Sequence, residues 1–188
     1  TNNRGCRLMA ISKINTGLNN PLASSTLTDA ASLISVSLGQ SIGAIYDFYQ
    51  IYFTLTPATN NVTVQARFLN INGAARTGTV YAGGTVNESG GSDSSTNGAT
   101  TMDLASNQGN ASGETVTGYA IIGNMNSTTH PCVMSGMLNG TNENGNHQCR
   151  MFNYSIIKGS YAVNTGVQLF FSSGNVSAGT LAIYGISK

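Results

Sequence analysis

The sequence predicts an all-β protein, an antiparallel β-sandwich or jelly roll with an extended N-terminal arm. Three observations carry this reading. The last twenty residues, Leu169 to Lys188, form two short alternating runs joined by a Ser/Gly/Asn link. The run Tyr46 to Leu55 alternates aromatic and aliphatic residues with Gln and Thr, the pattern of a strand with one buried face. Charged residues make up only 8% of the 188, against about 25% in an ordinary soluble domain. Asn, Ser, Thr and 23 glycines take their place, and such residues compete for backbone hydrogen bonds and favour bends over helices.

Taken in order, residues 1 to about 40 lack a sustained strand pattern and read as an arm or docking segment. Within it, Thr28 to Leu38 fits an amphipathic helix capped by Asp29, but Ile34, Val36 and Leu38 also alternate with serines. An extended arm leading into a first strand is the reading adopted. Residues 41–188 then form a single domain. In Tyr46 to Leu55, the residues Tyr49, Ile51, Phe53 and Leu55 share one face, and a bulge near Phe48 would reconcile Tyr46 and Phe48 with them. The turn Thr56 to Asn61 leads into Val62 to Phe68, with Val62, Val64, Ala66 and Phe68 on one face, and Asn72-Gly73 marks the next turn.

Gly83 to Glu114 is the least hydrophobic stretch and reads as a long polar loop, with a short strand at Met102 and Leu104. Strands resume at Gly118 to Asn124, Cys132 to Leu138 and Arg150 to Ile157. In the closing pair, Val167, Leu169 and Phe171 share one side, and Leu181, Ile183 and Gly185 share another. The link Ser172 to Gly179 between them is turn chemistry.

A net charge of +1, with scattered basic residues, argues against a nucleic-acid partner, which needs a concentrated basic surface. No run approaches the roughly 18 to 20 apolar residues of a membrane-spanning helix, and Leu8 to Ile14 is too short and too polar for a signal peptide. Three cysteines cannot all pair within one chain, so synthesis in a reducing cytoplasm is expected.

The sharpest local pattern is a repeated His-x-Cys unit, His130-Pro131-Cys132 and His147-Gln148-Cys149. Two His and two Cys make an accepted tetrahedral zinc set, and a tight hairpin at Asn139-Gly140 would bring the four together. A longer loop over Asn139 to Asn146 would instead pair Cys132 with a position near Asn153. A zinc site, a Cys132 to Cys149 disulfide and ordinary strand residues are the three readings. The seven acidic residues include no adjacent pair, and no nucleophile elbow, Walker loop or dinucleotide fingerprint occurs. No enzymatic activity and no cofactor are expected; Asp47, inside an aromatic strand, is the one acid in an unusual place. Exposed tyrosines stack on sugar rings, which makes Tyr46, Tyr49, Tyr52 and Tyr81 candidate glycan contacts.

With the strands placed, the chain resembles the jelly-roll surface proteins of tailed bacteriophages, found in tail fibres, head fibres and capsid decoration. The resemblance rests on YDFYQIYFTLTPATNNVTVQARF at Tyr46 to Phe68, GNASGETVTGYAIIGN at Gly109 to Asn124, and FFSSGNVSAGTLAIYGI at Phe170 to Ile186. Met9 to Ile14 also looks like a common opening of phage tail-associated proteins, here preceded by Thr1 to Leu8. Such a resemblance implies a virion component without cofactor or catalytic set, usually a homotrimer. The resulting expectation is a structural protein on the virion surface, docked on a capsid or tail protein through its arm. The alternative is a receptor-binding module for host-surface glycans.

Overall fold

A computed structural model describes residues 21–38, 46–87 and 94–186. They form twelve strands and no helix, arranged as two antiparallel sheets face to face. The strands are β1 (Ala23–Leu27), β2 (Leu33–Ser37), β3 (Phe48–Pro57), β4 (Val62–Asn70), β5 (Tyr81–Asn87), β6 (Ser94–Ala99), β7 (Met102–Gln108), β8 (Val116–Gly123), β9 (Val133–Thr141), β10 (His147–Ile156), β11 (Asn164–Phe171) and β12 (Val176–Ile186). The larger sheet has eight strands in the order β1-β12-β3-β8-β9-β10-β5-β6, the smaller four in the order β2-β11-β4-β7. The chain is an all-β sandwich.

The pairing is nested. The first strands pair with the last, β1 with β12 and β2 with β11, while β3 pairs with β8 and β4 with β7. Along the chain, β1 to β4 alternate between the large and the small sheet, as do β7, β8, β11 and β12. The remaining strands are two inserted pairs. Strands β9 and β10 follow β8 as a hairpin, and β5 and β6 follow on the far side of β10. These four strands double the width of the large sheet.

The core lies between the sheets, where the apolar alternation of the sequence puts it. Tyr49, Ile51, Phe53 and Leu55 from β3 are all buried, as are Val62, Val64, Ala66 and Phe68 from β4, and Val167, Leu169 and Phe171 from β11. Leu181 and Ile183 close it from β12. Strand β7 packs over β5, β9 and β10, covering Met134, Leu138, Phe152 and Tyr154, which are likewise buried. At roughly 25 cal/mol per Å² of apolar surface removed from water, each buried Val, Leu, Ile, Met or Phe among them stabilises the fold by about 1.5 to 3 kcal/mol.

Several expectations change. Ala23–Leu27 and Leu33–Ser37, placed in the arm by their small and polar residues, are sheet strands, with Ile34 and Val36 buried in the core; residues 1–20 lie outside the described residues. The stretch Gly83 to Glu114 contains β6, β7 and the end of β5 instead of a continuous loop; residues 88–93 in its midst also lie outside the described ones. Its glycines mark close strand approach: a Cβ at Gly83 would lie 2.1 Å from the Asn153 carbonyl oxygen, and one at Gly84 would lie 2.0 Å from that of Ser94. No bulge is needed at Phe48, which pairs in register with Ile186 and points outward. The terminal link is shorter than Ser172 to Gly179, because Val176 already begins β12, with Gly174 at φ 69° making the turn.

Candidate interaction surface

The zinc set is not assembled. In the β9–β10 hairpin Cys149 lies opposite Asn139, whereas the Cys132 carbonyl accepts from the Ile156 amide at 2.9 Å. Ile156 is seven residues beyond Cys149, about 23 Å along the strand. His130 sits exposed in the turn before β9, its Nδ1 3.0 Å from Thr129 Oγ1, and His147 is exposed at the start of β10. Among the described residues no three His, Cys, Asp or Glu side chains group to hold a metal. The same separation rules out a Cys132 to Cys149 disulfide. Cys132 is a core residue, 2% exposed, and burial pushes its thiol well above the ordinary range, which leaves it unreactive.

The four tyrosines considered for sugar contact divide by strand parity. Tyr49 and Tyr81 are fully buried and cannot meet a ligand. The Tyr81 hydroxyl accepts from the Phe68 amide at 3.0 Å and donates to the Arg76 carbonyl at 3.1 Å, tying β4 to the loop before β5. Tyr46 is half-buried, its ring edge-on to Tyr49 with centroids 5.9 Å apart. Tyr52 alone faces fully outward. Asp47 is exposed just ahead of β3, next to Tyr46, and its carbonyl accepts from the Asn124 amide.

Tyr52 belongs to a feature that no single strand reveals. Cross-strand register on the large sheet joins Ala182, Tyr52, Tyr119, Met137, Met151 and Val86 into one row across six strands. The adjacent row runs from Tyr184 through Gln50, Ile121 and Ser135 to Asn153, and the next begins with Ile186 and Phe48. Tyr52 stands at the centre of an aromatic group, 6.4 Å from Tyr119 and 5.8 Å, edge to face, from Tyr184. These residues form the outer face, opposite the core.

Eight large apolar side chains are exposed among the described residues, and seven of them, Phe48, Tyr52, Val86, Tyr119, Ile121, Met151 and Ile186, lie on this face; Ile71 is the exception. Its outward positions in β12, β3, β8, β9 and β5 carry no charged residue, and in β10 only His147, at the strand's start, is titratable apart from Cys149. Monomeric proteins rarely leave a continuous apolar patch of this extent uncovered, so the face is the strongest candidate for a binding surface.

Comparison with known proteins gives no match: no family model fits the chain, and no curated protein or solved structure is significantly similar to it.

Proposed function

We propose that the chain is a non-enzymatic structural module of a tailed-phage particle, displayed on its exterior as a decoration or fibre subunit. The nested strand order is the observation that supports this reading best. Taken without the inserted strands, β1-β12-β3-β8 over β2-β11-β4-β7 is what a long hairpin rolled into two four-stranded sheets produces, a jelly roll of the kind used in capsid proteins. The low charge and the three sequence segments that resemble phage surface proteins point the same way. Attachment falls to residues ahead of β1, since the strands that follow are committed to the sheets. The test is a density map and mass spectrum of purified particles from the source phage. The chain is expected at defined exterior positions; its absence from particles would overturn the reading.

A second reading, recognition of host glycans, is favoured by one observation, the outward-facing group of Tyr52, Tyr119 and the half-buried Tyr184 beside Gln50. Stacking faces next to an amide suit a neutral sugar. A glycan array with wild type and Tyr52→Ala tests it: a sugar bound by the first and lost by the second is the expected result, and no binding by either defeats it.

A further inference from the structure

We infer that the outer face of the large sheet is the surface through which this chain associates with a second copy of itself. The inference stands independently of the virion reading.

Extent is the first argument. From β12 to β5 the face crosses five strand spacings, about 24 Å, and from the Phe48 row to the Thr54 row it runs six residues, about 20 Å. With side-chain margins this is a footprint of roughly 600 to 800 Å², close to the area of about 800 Å² that each partner contributes to a stable interface. A sugar would use only the tyrosine corner. It would leave Met137, Met151 and Val86, on the other half of the same row, facing water.

Charge is the second argument. A surface that meets its own copy must tolerate itself, and like charges brought together and desolvated repel strongly. This face meets that requirement with neutral outward residues, aromatic and methionine side chains at its centre, and Gln50, Ser135 and Asn153 able to donate and accept in either direction. A charged partner would have its ions stripped of water with nothing opposite to pair them.

The sheet edges argue for face-to-face contact over strand addition. Edge strands β1 (ASSTL) and β6 (SSTNGA) are only five and six residues long, and very short edge strands are one of the features that blunt an edge against pairing.

The test is sedimentation equilibrium of the full chain from about 1 to 100 µM, a range that brackets the weak end of interfaces of this size. Wild type should show a multiple of 19.5 kDa. Tyr119→Arg and Met151→Glu, both at exposed positions, should each weaken association by about a hundredfold while unfolding cooperatively at the wild-type midpoint under dilute conditions. Ile71→Arg, at the exposed apolar residue outside the face, should leave the mass unchanged. A 19.5 kDa species at all concentrations would overturn the inference, whether the face is then found to hold a glycan or to be covered by residues 1–20 of the same chain. So would association that survives both face variants, or that Ile71→Arg abolishes equally.

Discussion

The two outer faces of this sandwich are made by the same alternation of residues and have opposite characters. On the large sheet the outward side chains are tyrosine, methionine, isoleucine and uncharged polar groups. On the small sheet the outward rows run from Leu33 through Phe170 and Gln65 to Asp103, and from Ser35 through Gln168 to Arg67. There the one large apolar ring is covered: the Arg67 guanidinium lies 4.7 Å above the centre of Phe170. Gln65 donates to Asp103 at 2.7 Å, and Arg67 donates to the Thr100 carbonyl at 3.1 Å. The small sheet is finished for water by its own polar groups, whereas the large sheet has no such cover among the described residues. Strand insertion made the difference, since β9, β10 and β5 supply half of the apolar row.

The largest effect that sharpens the contrast between inside and outside comes from neighbours in β3. Phe53→Ala should lower unfolding stability by about 3 to 5 kcal/mol, because the ring is buried and leaves a cavity. Tyr52→Ala, one residue away on the outer face, should cost the dilute protein under about 1 kcal/mol. Urea unfolding of both variants measures the difference.

Next comes Tyr81→Phe, which removes a hydroxyl bonded to the Phe68 amide and the Arg76 carbonyl and should cost about 1 to 3 kcal/mol by leaving a buried amide without its acceptor.

The buried tyrosines also predict a pH dependence. Burial pushes the phenols of Tyr81 and Tyr154 up to about 12, with the nearby Asp103 charge adding to the effect on Tyr154. The folded state therefore holds these protons more tightly than the unfolded chain does. Their contribution is complete below about pH 10 and is lost as the pH rises through 12. Urea midpoints should fall over that window, and the double variant Tyr81→Phe with Tyr154→Phe should flatten the fall; an equal fall in the double variant would contradict the assignment.

The smallest effect is on the small sheet itself. Arg67→Ala should cost about 0.5 to 1 kcal/mol by uncovering Phe170, and should make that face bind a hydrophobic dye that the wild-type face does not.

How far the sequence leads depends on whether the signal is local. Alternation within one strand sufficed for β3, β4, β11 and β12, and the same parity already set Tyr49 with Ile51 and Phe53, against its use as a sugar contact. Composition misled in β5 and β1, whose glycines and serines look like loop because the strands they pair with, β10 and β12, are distant in sequence, and in β6 (SSTNGA), which carries no apolar alternation to mark it. The outer face was out of reach for the same reason. Tyr52, Tyr119, Met137, Met151 and Val86 share a row only through four separate pairings, and parity within β3 marks Tyr52 as outward without naming its neighbours. Likewise the His-x-Cys repeat is conspicuous in the sequence, yet the register of one hairpin puts its two halves at opposite ends.

The methionines give the most direct test that the large outer face is covered by a second copy. Met151 lies on that face, whereas Met102, Met125 and Met134 are core residues that serve as internal references. Peroxide oxidation of the full chain, read residue by residue in the mass spectrum, should be about tenfold slower at Met151 at 100 µM than at 1 µM, following the fraction associated over the range expected for an interface of this size. The three core methionines should react at one rate throughout. A Met151 that reacts at 100 µM as fast as it does in the Tyr119→Arg variant would contradict the account.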